Sequence, residues 1–187
     1  MKPMFSIHAG EFLVGDHVER QFPKLRVWVP SRDTGIDLLV TDSAAQSTVS
    51  IQVKASRDYL PTHVDPRYRS DIAACGWWNF NRAKLEGSAA SFWVLVLIGL
   101  DHTRTDFLVV PPDELLGRLE AIHGESATLR TYFWVTKSGR CFETRGLGKT
   151  DLALIAAGDF ESPVREVTGW LNNWTCLDVL ATGGGRL

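Results

Sequence analysis

The sequence predicts a single α/β domain in which one helix leads into an antiparallel set of strands and later strands alternate with helices. Three observations carry this expectation. Residues 9–22 (AGEFLVGDHVERQF) place Phe12, Leu13, Val14, Val18 and Phe22 at helical spacing. Residues 36–41 (IDLLVT) and 49–55 (VSIQVKA) alternate apolar and polar positions on either side of a polar loop. Residues 92–100 (FWVLVLIGL) form the longest apolar run, whose aromatic and β-branched content suits a buried strand and whose length falls well short of the roughly 20 residues of a membrane-spanning helix. With 187 residues, 44% of them hydrophobic, the chain can bury one sizeable core. The expected organisation is one domain over residues 1–187, with a core over about 9–120 and a C-terminal elaboration over about 121–187.

In chain order, Pro23 stops the first helix and residues 25–29 (LRVWV) make a short strand closed by Pro30. Residues 36–41 and 49–55 follow as a hairpin around DSAAQST. Residues 71–85 (DIAACGWWNFNRAKL) fit neither period, because Gly76 and the paired Trp77 and Trp78 interrupt both, so helix and helix plus strand stay open there. Residues 92–100 read as a central strand, 107–110 as another, and 111–122 (PPDELLGRLEAI) as a helix with acidic residues in its first turn. Residues 130–136 and 140–144 flank Lys-Ser-Gly as a hairpin, and residues 162–180 suggest a last helix carrying Trp170 and Trp174 four apart.

Twenty Lys and Arg against 22 Asp and Glu give a net charge of −2, which excludes a histone-like basic protein and an acidic disordered tail. Any nucleic-acid surface is then a local patch. Residues 54–85 supply one, with six basic residues against three acidic ones and Arg57, Arg67 and Arg69 as its candidate phosphate contacts. Its other reading is a solvated loop whose charges aid solubility. The three cysteines stand far apart without a CxxC, and the five histidines show no paired spacing, so neither a disulfide framework nor a zinc site is expected. Reduced thiols and an N-terminus interrupted by His8, Glu11 and Asp16 point to a cytoplasmic location.

The chemistry concentrates in the hairpin. Along residues 49–56, Val49, Ile51 and Val53 share one face while Ser50, Gln52, Lys54 and Ser56 share the other. The preceding strand can bring Asp37 alongside Gln52 and Lys54. A hard divalent cation takes oxygen ligands and keeps several waters when few carboxylates are offered. Asp37, the Gln52 amide oxygen and the Val53 carbonyl could hold Mg²⁺ or Mn²⁺, and Lys54 could orient an attacking water or stabilise charge on a phosphodiester. Glu11 lies on the apolar stripe of the first helix and could reach the same cation. The plain alternative for Asp37 and Lys54 is a cross-strand ion pair, and for Glu11 a carboxylate favoured at a helix N-terminus.

Gly10-Glu11 opening a helix, then Gly35-Ile36-Asp37, then Gln52-Val53-Lys54 resembles the PD-(D/E)XK nuclease superfamily, closest to small prokaryotic members with QxK in place of ExK. Those members include Holliday-junction-resolvase-like and restriction-like endonucleases. The resemblance is best over residues 9–56 and continues more loosely to about 120. It implies a restriction-endonuclease-like αβββαβ core, with a mixed central sheet flanked by helices, and Mg²⁺-dependent cleavage of DNA. It also implies metal ligation by Asp37 and Gln52, a catalytic Lys54, a helix-one glutamate at Glu11, and a homodimer where both strands are cut. Two departures stand out: Gly35 and Ile36 precede Asp37, and Gln52 replaces an acid and removes one negative charge. The second departure motivates an alternative, a non-catalytic nucleic-acid-binding or protein-interaction module on the same fold.

Overall fold

The apolar stripe of the first helix and the alternating strands after it frame the molecule. In the computed structural model, which describes residues 9–32, 34–56, 65–101 and 103–181, α1 (Ala9–Gln21) buries Gly10, Glu11, Val14 and Val18. Strands β1 (Arg26–Trp28), β2 (Leu38–Thr41) and β3 (Thr48–Ala55) form an antiparallel meander, with Leu38 opposite Ile51 and Val40 opposite Val49. The β2–β3 loop closes on Asp42, whose carboxylate accepts the backbone N–H groups of Gln46, Ser47 and Ala44, each at 3.0 Å. Those bonds, the one from Gln46 foremost, hold the Asp42 carboxyl below the usual carboxylate range.

β5 (Phe92–Ile98) then lies parallel to β3, with Gln52 beside Trp93 and Lys54 beside Leu95, and β6 (Thr105–Val110) is antiparallel to β5. The result is a mixed five-stranded sheet in the order β1-β2-β3-β5-β6. Parallel neighbours need a long crossover, and here that crossover contains β4 (Ile72–Asn81) and the short α2 (Arg82–Glu86). β4 pairs along its length with β7 (Thr128–Thr136), which pairs with β8 (Cys141–Glu143), making a second, three-stranded antiparallel sheet. The helices α3 (Pro112–His123), α4 (Lys149–Ala157) and α5 (Thr175–Ala181) complete the chain.

The apolar side chains sort into three clusters that define the layers. Val14 and Val18 of α1 meet Ile51, Val53, Val94 and Val96 on one face of the large sheet, joined by Leu177 of α5. Trp93, Leu95 and Leu97 on the other face pack against Trp78, Phe133 and Leu115 of the second sheet and α3. Beyond the second sheet, Cys75, Trp134 and Phe142 lie beneath Ile155 of α4.

Residues 71–85 resolve as β4 followed by α2. The first half of β4 is buried on both faces, which hides the alternation, whereas Trp77, Asn79 and Asn81 are exposed in turn with Trp78 and Phe80 buried. Gly76 is required because the Trp78 indole folds back over it: a Cβ there would lie 2.2 Å from the ring.

The helix expected over residues 162–180 is corrected. Only α5 is α-helical in that stretch; before it the chain makes a 3₁₀ turn at Thr168–Trp170, and Asn172 takes a φ of 52°. The Asn172 backbone N–H donates to the Phe107 carbonyl at 2.7 Å and its side-chain oxygen accepts the Phe107 N–H at 2.9 Å, so this segment is stitched to β6. Trp170 and Trp174 therefore enter different cores, one between the sheets and one beneath α1. α4 escaped the sequence reading because only Ile155 of its residues is buried. The segment after residue 120 shares the core of the earlier chain through β7 and Trp170. Among the described residues no helix is long and apolar enough to cross a membrane. Cys75 and Cys141 are buried thiols and Cys176 is partly buried; burial pushes the Cys176 thiol up to about 11 and the Cys141 thiol higher still.

Candidate active site

The hairpin register sets the first contact. With Leu38 opposite Ile51, the Asp37 N–H donates to the Ile51 carbonyl at 2.9 Å, which puts the Asp37 side chain beside Gln52. Gly35 turns the chain into this position with a φ of 84°, a left-handed conformation that favours glycine. Asp37 Oδ2 accepts the Val53 backbone N–H at 2.8 Å and a hydrogen bond from Gln52 Nε2. Both of these bonds fall on Oδ2. Ile36 departs from the expected alternation: it packs with the cluster between the sheets, while Leu38 and Val40 pack under α1.

Lys54 follows Gln52 on the same face of β3, half-buried, with its Nζ 5.5 Å from the centre of the Trp93 ring. The strand end beneath it is anchored to β4 twice. The Trp78 indole N–H donates to the Lys54 carbonyl at 3.1 Å, and the Trp77 backbone N–H donates to Ser56 Oγ at 3.0 Å. Glu11 arrives from α1 and is 7% exposed. Gly10 makes its approach possible: a Cβ at that position would stand 2.9 Å from Ala55 Cβ, so the first turn of α1 sits directly on the end of β3. The pairing of glycine and glutamate at the helix start thus has a steric basis.

Glu11, Asp37, Gln52, Val53 and Lys54 all line one cleft of about 830 Å³. Val53 contributes its backbone N–H to Asp37, where the sequence suggested a carbonyl for a metal. Arg67 and Arg69 lie elsewhere. Their 3₁₀ turn, Pro66–Tyr68, packs through Tyr68 against Trp134 in the outer cluster, and the Tyr68 hydroxyl donates to the Lys149 carbonyl at 3.3 Å. Arg67 pairs with Asp65 at 2.7 Å, and the guanidinium draws the Asp65 carboxyl down to about 2. Arg57 falls outside the described residues.

Among the residues lining the cleft that the sequence did not assign to it are Thr34, Lys84 and Trp93. Lys84 is exposed on α2, whose first turn is capped by the Asn81 side chain accepting the Lys84 N–H at 3.1 Å. Trp93 reaches the cleft because β5 pairs in parallel with β3, placing it beside Gln52.

The donors at this cleft are oxygens: two carboxylates and an amide, with two ammonium groups nearby. Among the described residues no group of three or more His, Cys, Asp or Glu side chains is placed to hold a metal ion. What the arrangement can do is hold a hard cation with few protein ligands and present positive charge to a phosphate. No family model, no curated protein and no solved structure matches the chain.

Proposed function

We propose that this chain is a divalent-metal-dependent endonuclease that hydrolyses DNA phosphodiester bonds on a restriction-endonuclease-like core of the PD-(D/E)XK type. The observation that carries the reading is the meeting of Asp37, Gln52, Lys54 and Glu11 at one cleft. The order α1, β1, β2, β3 and then, after a crossover, β5 parallel to β3 supports the αβββαβ core, with β4 and α2 taking the place of the crossover helix.

The donor set suits Mg²⁺ or Mn²⁺. Asp37 and Glu11 would hold the ion with the Gln52 amide oxygen, once the amide turns its Oε1 toward Asp37, and with the Val53 carbonyl as a further donor; water would complete the shell. Such an ion, when bound, polarises a phosphodiester and acidifies water. The chain's own residues do the rest. Lys54 presents an ammonium held beside Trp93, which stabilises charge growing on the phosphoryl oxygens and orients the attacking water. Lys84 adds a second positive group at the cleft wall for the flanking phosphates. The hydrogen bond from the Val53 backbone N–H holds the Asp37 carboxylate in advance of binding and is kept when the Gln52 amide turns. Cutting both strands of a duplex would bring two copies of the chain together.

One observation favours a second reading. Gln52 donates to Asp37 and brings no charge of its own, so the cleft holds one carboxylate fewer than an ExK site. A non-catalytic nucleic-acid-binding module would keep this bond and bind no metal. Calorimetric titration with Mn²⁺ separates the two. The nuclease reading expects binding at millimolar metal that is lost in Asp37→Ala and strengthened about tenfold in Gln52→Glu, which restores the missing charge. Absence of binding in the wild type and in Gln52→Glu alike would favour the module.

A further inference from the structure

The exposed edge of β4 adjoins the cleft. Trp77, Asn79 and Asn81 point outward in turn along this strand, with Trp77 36% exposed. With Lys54, Lys84 and Trp93 they line a second hollow of about 520 Å³. Those residues and Ala55 also line the cleft that holds Asp37, so the two hollows share a wall.

The position of Trp77 relative to Lys54 is set by the backbone. Its N–H donates to Ser56 Oγ, two residues beyond Lys54, and the next residue, Trp78, donates from its indole to the Lys54 carbonyl. β4 is further fixed by its pairing with β7, where Trp77 stands opposite Tyr132. A tryptophan left 36% open to solvent on so constrained a strand, lining one hollow with two lysines and an exposed asparagine, has the composition of a site for a base and its flanking phosphates. The indole offers a face for stacking, the lysines neutralise phosphates, and the Asn79 amide can donate to or accept from a base edge. Bases paired within a duplex keep their faces stacked on one another and cannot use such an indole.

We infer that the β4 groove binds an unpaired stretch of DNA strand, stacking one base on Trp77 next to the phosphodiester held at Asp37 and Lys54. The inference deepens the nuclease reading and rests on it, and it names the substrate class as single-stranded DNA or the unpaired region of a branched or flapped duplex. Trp77 is a binding residue in this scheme, acting on the strand beside the reacting bond.

The test is fluorescence anisotropy of a labelled oligothymidylate and of a labelled blunt duplex, with metal chelated so that binding is read apart from cutting. Trp77→Phe keeps an aromatic face and Trp77→Leu keeps apolar bulk without one; thermal melts establish that both variants fold. The expected result is wild-type preference for the single strand, retained in Trp77→Phe and weakened about tenfold in Trp77→Leu. Equal affinity of the wild type and Trp77→Leu for the single strand would overturn the inference while leaving the nuclease reading intact, as would binding of the duplex alone. Trp77-dependent binding of the single strand, without cutting of any DNA on adding Mg²⁺ or Mn²⁺, would support the groove and overturn the nuclease reading.

Discussion

Gly76 and Gly117 lie in elements of different kind, and substitution by alanine should move stability in opposite directions. A Cβ at Gly76 meets the Trp78 ring at 2.2 Å, and the ring is itself packed against Phe133. Gly76→Ala therefore forces a core aromatic out of place, and chemical denaturation should record a loss of about 1–3 kcal/mol. Gly117 is exposed within α3, and a Cβ there meets nothing within 4 Å. Gly117→Ala should gain about 0.5–1 kcal/mol by restricting the unfolded chain and favouring the helix. Glu143 has a larger role. It is fully buried, accepts from Thr131 Oγ1 at 3.1 Å and from the backbone N–H groups of Tyr132 and Arg145 at 3.2 Å, and pairs with Arg165 at 2.8 Å. Removing it takes the carboxylate acceptor from Thr131 Oγ1 and from the Tyr132 and Arg145 N–H groups, and leaves the Arg165 guanidinium, 20% exposed, with only backbone carbonyls of Glu143 and Arg145 in place of its ion-pair partner. Glu143→Ala should cost about 3 kcal/mol in the same measurement.

At the scale of elements, His17 ties α1 to the far edge of the large sheet. Its ring stacks on Trp174 at 5.0 Å and tilts against Phe107 at 4.8 Å. Burial lowers its pKa from the ordinary 6.5, against the opposing pull of Asp16. The unfolded chain thus binds this proton more readily than the folded one, so stability falls as the pH drops below 6.5 and is fully present above it. Melting temperatures measured across this range should decline toward acid in the wild type and decline less in His17→Gln.

The elements also differ in how far the sequence discloses them. The β1–β2–β3 meander is legible because strand alternation and local hairpin pairing are both short-range, and the same pairing joins Asp37 to Gln52, only 15 positions apart. Glu11 is legible from the stripe it shares with Val14 and Val18. Lys84 and Trp93 are hidden, since their place at the cleft depends on β5 running parallel to β3 after a crossover of 36 residues, Ser56 through Ser91. β4 is obscured by burial on both faces over Ile72–Cys75, which erases its period. The false long helix over 162–180 arises because Trp170 and Trp174 share a helical spacing that the Asn172 turn breaks.

For the whole molecule, the second sheet decides where the chain can be cut. β4 lies before residue 120 and β7 after it, yet they pair over nine positions, and Trp78 and Leu115 share a cluster with Phe133, Val135 and Trp170. A chain ending at Gly124 leaves β4 without its partner and opens the layer between the sheets. It should lack a cooperative thermal transition by circular dichroism, whereas the full chain should melt in one step. The same layering matters for the cleft, because β4 anchors the end of β3 through Trp77 and Trp78 and so holds Lys54 in place. The most direct measurement is the cleavage rate of supercoiled, linear, branched and single-stranded DNA by full-length protein in Mg²⁺ or Mn²⁺, with Asp37→Ala and Lys54→Ala compared at matched thermal stability. A metal-activated nuclease at this cleft should cut in the wild type only when metal is present, with cutting lost by at least about a hundredfold in both variants. Cleavage that survives in both variants, or a wild type that cuts none of these DNAs, would contradict it.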